Sequence, residues 1–203
     1  EVKMHSTRIV DAVELPYVRV SEQDTATLIC DAVLALLAKT GLSTADIDGL
    51  GVASFSLAPN RAIDIAWRLS MGLSWMHDEA NGGVSALNMV QHAMAAISLG
   101  QASAIVLVAG DSFDKATFEK LINGYNSTTQ DYLAPLGAAS PNTLFSFLTK
   151  QYLVERGLMP EDLGQLVLQQ RQWAGLNPNA LYRIPLNMDE YISAKAVTDV
   201  LGI

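Results

Sequence analysis

Residues 79–111 read EANGGVSALNMVQHAMAAISLGQASAIVLVAGD and combine a turn, a helix and a strand. The small residues at 80–83 form the turn. The apolar run from about residue 84 to 99 predicts a helix that is buried on several sides, closed by Gly100. Residues 102–111 are nearly all Val, Ile, Leu, Ala and Gly, which is typical of a central parallel strand covered on both faces.

The rest of the chain continues this alternation of strands and helices. Apolar side chains spaced three to four residues apart predict a helix at 22–40, which Gly41 ends. Ser43 is the expected cap of a short helical turn. The pattern also predicts strands at 8–13, 49–55 and 73–79, and helices at 58–71, at 143–156 and from Pro160 onward. Strands that alternate with helices indicate an α/β fold.

Composition excludes several classes of function. The chain has 203 residues, of which half are apolar, so it suffices for one large domain or a domain with a subdomain. With 13 Lys and Arg against 21 Asp and Glu, the net charge is -8, and no nucleic-acid partner is expected. Cys30 is the single cysteine, which predicts no disulfide and fits a cytoplasmic location. We expect neither a signal peptide nor a membrane span.

One interval departs from the alternation. Residues 111–142 are rich in Gly, Pro, Ser, Asn and Tyr. The interval is too long for an ordinary connection, and long loops in compact domains are often functional. We therefore expect a functional loop region there.

The turn at 80–83 has the features of an active-site turn. The first N–H groups of a helix lack backbone acceptors, and the helix dipole favours negative charge beside them. A nucleophile there would gain acidity, and a thioester oxygen would meet an oxyanion hole. The nucleophile position, however, holds Ala80. The alternative is that Gly82 and Gly83 only let the helix pack closely on the sheet.

Other polar residues near this turn are further candidates. His77 precedes Ala80 by three residues and is either an acid or base of the site or a bonded histidine at a strand end. His92 is expected to be a hydrogen-bonded core histidine. Asp78 and Glu79 are adjacent in an extended segment and point to opposite faces, so they form no carboxylate pair. Asp111 is expected to anchor a loop or cap a helix rather than to bind a ligand.

The order of these segments resembles the thiolase superfamily, specifically its lipid-transfer or sterol-carrier-protein branch. The resemblance extends over nearly all of residues 8–203. The stretches that carry it are LICDAVLALLAKTGLSTADIDGLGVASF, EANGGVSALNMVQHAMAAISLGQASAIVLVAGD, APLGAASPNTLFSFLTKQYLVERGLMPEDLGQLVL, QQRQWAGLNPNALYR and PLNMDEYISAKAVTDVLGI.

The resemblance also assigns roles within the turn. The family's turn reads Cys-Gly-Ser-Gly or Cys-Ala-Thr-Gly, and matching Gly83 to the last glycine places Ala80 at the cysteine. Cys30 lies on the first helix and looks like a small core residue. Thiolysis through an acyl-enzyme needs a thiolate and is therefore disfavoured. The backbone N–H groups of Asn81, Gly82 and Gly83 would then form the oxyanion hole.

For the architecture, the resemblance implies the N-terminal half of a thiolase. It implies a mixed five-stranded sheet with helices on both faces, a loop subdomain at about 112–190, and a homodimer. Tyr125, Tyr132 and Ser140 belong to the loop region that in the family helps to line the substrate tunnel and the dimer contact. The alternative is that they belong only to a solvated loop. The family's catalytic histidine and second cysteine belong to its second half, which a further segment or a partner chain would supply.

The function implied by the resemblance is acyl-CoA chemistry without a thiolate. Relatives that degrade steroid side chains cleave a 3-hydroxyacyl-CoA by a retro-aldol reaction and pair with an OB-fold acyl-CoA-binding protein. That reaction needs a base and an oxyanion hole. A coenzyme A thioester is the expected substrate, with no bound cofactor and no metal. The alternatives are a non-catalytic scaffold or acyl-CoA carrier, and a conventional acetyl-CoA acyltransferase.

Overall fold

The computed structural model describes residues 7–124, 126–137, 140–196 and 198. These residues divide into two compact units. The first unit lies within Glu1–Leu15 and Val20–Phe113, and the second within Pro16–Arg19 and Asp114–Ile203. Among the described residues, no helix is long and apolar enough to cross a membrane.

The first unit is built around a parallel three-stranded sheet in the order β2-β1-β3. Its strands are β1 (Gly49–Ala53), β2 (Trp75–Glu79) and β3 (Ile105–Ala109), and its helices are α1 (Thr25–Thr40), α2 (Arg61–Arg68) and α3 (Ser85–Ser98). Gly49 is the register partner of both Trp75 and Ile105. Short 3-10 helices precede β1 (Thr44–Asp46) and α3 (Gly82–Val84). The alternation predicted from the sequence is therefore confirmed for these elements.

Helix α1 shows why the sequence folds locally as predicted. The Asp24 side chain caps its first turn by accepting a hydrogen bond from the Thr27 N–H at 2.7 Å. Gly41 ends the helix in the left-handed conformation, with φ 71°. Ser43 and Asp46 then form the capping box of the next short turn, as the sequence indicated for Ser43.

One face of the sheet packs against α1 and α2. Leu50 and Val52 of β1 and Val106 and Val108 of β3 lie in a single apolar core with the buried side chains of both helices. Cys30 belongs to this core and is 9% exposed, which confirms its assignment as a small core residue.

The opposite face packs against α3. A Cβ atom on Gly51 would lie 2.7 Å from the end of the Leu107 side chain of β3 and 3.4 Å from the Met89 sulfur atom of α3, so α3 packs closely over this glycine. The expected helices on both faces are thus present.

The five-stranded mixed sheet expected from the resemblance is not observed in the described part of the chain, where the sheet has three strands, all parallel. The prediction of a strand at 8–13 was wrong. Ile9 and Val10 are 80% and 82% exposed, and this segment pairs with no strand. A β-favouring sequence forms a strand only where a partner accepts its backbone hydrogen bonds. Asp11 instead forms an ion pair with Lys39 of α1 at 2.7 Å.

The prediction that α3 is buried on several sides was also wrong for this chain. Its buried residues are Ser85, Met89, Ala93 and Ala96, which lie on one face. Leu87 is 76% exposed, and Met94 and Leu99 are also exposed. Apolar composition alone cannot show which element covers each face of a helix.

The second unit is helical among its described residues. Its α-helices are α4 (Lys115–Asn123), α5 (Pro141–Arg156), α6 (Pro160–Leu176) and α7 (Met188–Ile192). A Cβ atom on Gly164 would lie 2.7 Å from the Met188 sulfur, so α6 and α7 pack closely at this glycine. Much of the interval predicted as a long loop is helical, because α4 and the short helices Thr129–Leu133 and Ala134–Leu136 lie within it.

Candidate active site

The candidate site lies at the carboxyl edge of the three-stranded sheet. Because all three strands are parallel, they end at the same edge, and the segments after Ala53, Glu79 and Ala109 leave the sheet together. Ligands of open α/β sheets commonly bind outside this edge. The turn predicted as the active site is one of these three segments.

The glycines of the turn are not explained by close packing. Gly82 has φ 65°, a left-handed conformation that favours glycine, and a Cβ atom there would meet only the Phe55 ring, at 3.5 Å. A Cβ atom on Gly83 would meet nothing within 4 Å. Gly82 and Gly83 are the first residues of a 3-10 helix, where N–H groups have no intrahelical acceptor. The turn therefore has two N–H groups that the 3-10 helix itself does not pair.

Glu79 is the central polar residue of the turn and is only 4% exposed. Its Oε1 atom accepts hydrogen bonds from the N–H groups of Ala80 at 3.0 Å and Asn81 at 3.1 Å. Its Oε2 atom accepts one from the Asn88 side chain of α3 at 3.1 Å. The Asn81 N–H, expected to line an oxyanion hole, is thus directed to Glu79, and Gly82 and Gly83 are the remaining candidates.

The carboxyl group of Glu79 is held in its charged form. Burial raises the pKa of this group, but hydrogen bonds from His77, from Asn88 and from the backbone of Ala80 and Asn81 together outweigh it. The pKa of Glu79 therefore lies below the ordinary glutamate value. The turn carries a buried negative charge that is satisfied entirely by donors of the same unit.

His77 links this carboxylate to an aromatic stack. Its Nε2 atom lies 3.3 Å from Oε2 of Glu79, and its ring stacks on Trp75 with centroids 5.8 Å apart. The ring of His92 lies on His77 with centroids 4.6 Å apart. His92 is exposed, so its assignment as a core histidine was wrong. It follows Asn88 by one helical turn, which places both on the side of α3 that meets β2.

The two aspartates near the edge have structural roles. Asp78 points away from Glu79, as expected from strand alternation, and accepts a hydrogen bond from the Ala62 N–H at 2.6 Å in the first turn of α2. Asp111 accepts from the Ser54 hydroxyl at 2.7 Å and from the Phe55 and Ser56 N–H groups at 2.9 and 2.8 Å. The expectation that Asp111 anchors a loop is confirmed.

Sequence reasoning did not identify Phe55. Its ring is the nearest group to the position of a Gly82 Cβ, and the side chain is 42% exposed. Nothing local in the sequence brings residues 55 and 82 together. Their proximity depends on the parallel pairing of β1 and β2, in which Ala53 is the register partner of Glu79.

The site has no thiolate from this chain. Ala80 is exposed and has only a methyl side chain. Cys30 lies in the core between the sheet and α1, whereas the turn leads into α3 on the opposite face. Burial raises the pKa of the Cys30 thiol, which keeps it protonated. Within the part of the chain that the structure describes, no group of three or more His, Cys, Asp or Glu side chains is placed to hold a metal ion.

The residues predicted to line a substrate loop fall in the second unit. Tyr132 lies on the Thr129–Leu133 helix and is exposed. Ser140 caps α5 by accepting a hydrogen bond from the Thr143 N–H at 3.2 Å. Tyr125 lies outside the described residues. Their role toward a substrate stays a prediction.

The chain is similar to two curated proteins, although no family model matches it. It is 27% identical over 187 residues to the steroid side-chain-cleaving aldolase of Thermomonospora curvata, covering 87% of this chain and 47% of the relative. It is 28% identical over 186 residues to the 17-hydroxy-3-oxo-4-pregnene-20-carboxyl-CoA lyase of Mycobacterium tuberculosis, with the same coverage of 87% and 47%.

A solved structure has the same fold over most of this chain. The structure, described as the Ltp2-ChsH2(DUF35) aldolase, superposes with a TM-score of 0.74 at 26% identity, covering 90% of this chain and 47% of that one. The chain spans about half the length of the curated relatives it matches. The expected similarity to steroid side-chain-cleaving enzymes is confirmed. Membership of the sterol-carrier branch of the thiolases stays a prediction.

Proposed function

We propose that this chain belongs to an acyl-CoA-handling enzyme that cleaves a carbon–carbon bond by a retro-aldol reaction in the degradation of steroid or related lipid side chains. The observation that carries the proposal is the turn itself. It has two N–H groups, those of Gly82 and Gly83, that its 3-10 helix does not pair. We infer that Ala80, which precedes them, occupies the position of the thiolase nucleophile. The two curated relatives are named as an aldolase and a CoA lyase.

The reaction matches what such a turn offers. A base removes the proton of the 3-hydroxyl group, and the C2–C3 bond breaks as the hydroxyl carbon becomes a ketone or aldehyde. The bonding electrons pass to C2 and the thioester carbonyl as an enolate, which then accepts a proton at C2 to give a shorter acyl-CoA. Negative charge develops on the thioester oxygen, where the N–H groups of Gly82 and Gly83 would stabilise it. No acyl-enzyme forms, so no cysteine is needed.

The polar groups under the turn support these assignments. Glu79 occupies the N–H groups of Ala80 and Asn81 and fixes the backbone that leads to Gly82. His77, which is bonded to the same carboxylate, is the candidate acid or base of this chain. We infer that further catalytic bases come from another region of the native protein or from a partner chain.

The proposal also covers the architecture, the oligomeric state and the partner of this chain. We infer a thiolase-like N-terminal half of the sterol-carrier type, with a loop subdomain at about 112–190 that contributes Tyr125, Tyr132 and Ser140 to substrate binding. We also infer a cytoplasmic homodimer that works with an OB-fold acyl-CoA-binding partner. The support for a partner is that the similar solved structure is described as two joined components.

The test is a product assay on the native full-length protein, purified with any chain that accompanies it. The substrate is 17-hydroxy-3-oxo-4-pregnene-20-carboxyl-CoA, and products are separated by liquid chromatography and mass spectrometry. We expect a steroid 17-ketone and propionyl-CoA in equal amounts without added coenzyme A. The matched analogue without the 17-hydroxyl group should not be cleaved, because it has no proton to start the retro-aldol step.

Two results would contradict the proposal. Cleavage that depends on added coenzyme A would indicate thiolysis and the conventional acyltransferase. Tight binding of both thioesters without cleavage, in a preparation whose intact masses show every chain to be present, would favour the non-catalytic carrier.

A further inference from the structure

Phe55 lies beside the donors of the turn without belonging to it. Its Cζ atom lies 3.5 Å from where a Cβ atom of Gly82 would be. Its side chain is 42% exposed, so part of the ring is accessible to a ligand in this chain. A group held by the Gly82 and Gly83 N–H groups would therefore have an aromatic surface next to it.

The backbone that carries this ring is held unusually firmly for a loop. Asp111 accepts hydrogen bonds from the Phe55 N–H and from both neighbouring residues. The Ser54 carbonyl accepts a further bond from Nε of Arg61 at 2.6 Å. The Ser56 hydroxyl lies 2.6 Å from the hydroxyl of Thr25. Contacts from three directions thus fix residues 54–56 at the end of β1.

Such support is not explained by packing of the ring itself. Phe55 is partly exposed, and the core residues of β1 are Leu50 and Val52. A fixed backbone below a partly exposed aromatic ring is the arrangement expected of a preformed contact for an apolar ligand.

We propose that Phe55 determines the acyl preference of the site by forming an apolar wall beside Gly82, with Asp111 as the residue that positions it. This inference rests on the function proposed above and adds to it the residue that favours thioesters with a bulky, apolar, polycyclic acyl group. A flat ring system can cover most of the exposed surface of the phenyl ring, whereas a short acyl chain covers little of it and gains correspondingly less from the contact.

The experiment measures binding rather than turnover, so that it stands apart from the proposed reaction. The probes are 3-oxo-4-pregnene-20-carboxyl-CoA, which has no 17-hydroxyl group and cannot be cleaved by a retro-aldol step, and butyryl-CoA. Titration calorimetry on the native full-length protein gives both dissociation constants. Phe55→Ala should weaken binding of the steroid thioester by about ten- to hundredfold and change that of butyryl-CoA by less than about threefold.

Three further variants make the result specific. Phe55→Leu keeps an apolar wall and should recover most of the steroid affinity. Leu42→Ala removes an apolar side chain of the same 42% exposure, located before β1 at the opposite edge of the sheet, and should change neither constant. Asp111→Asn should also weaken binding of the steroid thioester more than that of butyryl-CoA, but by less than Phe55→Ala does. Thermal unfolding checks that each variant folds.

The outcomes separate the two proposals. Selective loss of steroid binding in Phe55→Ala, in a protein that does not cleave the hydroxylated substrate, would support the wall and reject the retro-aldol function. Cleavage by the unaltered protein together with an equal loss of both affinities in Phe55→Ala would reject the wall alone. Equal affinity of the unaltered protein for the two thioesters, or no binding of either, would also overturn the role of Phe55.

Discussion

The two faces of the sheet are built from different chemistry. The face under α1 and α2 is a continuous aliphatic core in which Leu50 and Ile65 are completely buried. The face under α3 has a glycine in the middle of β1, a buried glutamate and two histidines. The first face provides the apolar burial that stabilises the unit. The second holds the Glu79 carboxylate and leads to the N–H groups of Gly82 and Gly83 at the edge where the strands end.

This contrast explains why the burial of α3 was predicted wrongly from its sequence. Both α1 and α3 are rich in apolar residues, but α1 buries Ile29, Val33 and Leu37 in the core, whereas α3 buries Met89 and small residues only. The side chains of α3 that would make the strongest core contacts, such as Leu87, are exposed in this chain. If the division between the faces is correct, substitutions on the two faces should affect different measurements.

The largest expected effect on stability is on the aliphatic face. Leu50→Ala should lower the free energy of unfolding by about 2–5 kcal/mol, because it removes a fully buried side chain and leaves a cavity. Urea unfolding followed by circular dichroism measures the change. The matched control is Leu87→Ala on α3, which should cost less than about 1 kcal/mol. Equal losses for the two variants would remove the distinction between the faces.

At the turn, the expected effect is on activity. Gly82→Ala places a Cβ atom on a residue with φ 65° and should displace the adjacent N–H group from the site. Loss of one oxyanion donor costs roughly 2.7–4 kcal/mol of transition-state stabilisation, or about a hundred- to thousandfold in kcat. The steroid cleavage assay measures this effect.

The control for Gly82→Ala is Gly41→Ala. Gly41 has φ 71°, with nothing within 4 Å of its Cβ position, and it ends α1 before β1, away from the turn. Both variants should lose about 1–2 kcal/mol of stability from the left-handed conformation, but only Gly82→Ala should lose activity. Comparable activity in the two would show that the turn donors are not used.

Much of this arrangement was predictable because it depends on local sequence. The capped helix α1, the glycine turn and strand β3 follow from capping residues, small residues and apolar runs, all of which act within a few positions. The expected central place of β3 was wrong, because the order β2-β1-β3 puts β1 in the middle of the described sheet, and strand order depends on pairing between distant segments. The prediction of a strand at 8–13 failed because strand formation needs a partner that the local pattern does not reveal. The core assignment of His92 failed for a related reason, since its contact with His77 depends on how α3 packs on β2. Phe55 depends on the pairing of β1 with β2.

The buried charge under the turn gives a pH-dependent prediction. The pKa of Glu79 is lowered in the folded protein, so its contribution to stability is fully present above the ordinary glutamate pKa and is lost as the pH falls through the folded value. Glu79→Gln removes the titrating group, and one end of its amide would face the Asn88 donor. The stability difference between the two proteins should therefore be largest near neutral pH and shrink below about pH 4.

Chemical unfolding at a series of pH values from neutral to acidic measures this difference. Asp46→Asn is the comparison, because the pKa of Asp46 is also lowered, but by hydrogen bonds to Ser43 in an exposed cap at the other edge of the sheet. Both variants should show the same sign of pH dependence, whereas only Glu79→Gln should alter cleavage activity. A stability difference for Glu79→Gln that does not change with pH would mean that folding does not shift the pKa of Glu79.

The smallest expected effect concerns the exposed side of α3. Leu87 is 76% exposed in this chain, so Leu87→Gln should change the free energy of unfolding by no more than about 0.5 kcal/mol if that side faces solvent. Urea unfolding of the native full-length protein, with and without any accompanying chain, measures the effect. A loss of about 2 kcal/mol would instead mean that another surface buries Leu87, because full burial of a leucine contributes about that much. The polar network around Glu79 would then lie between two packed layers, and its charge would be enclosed more completely than this chain alone provides.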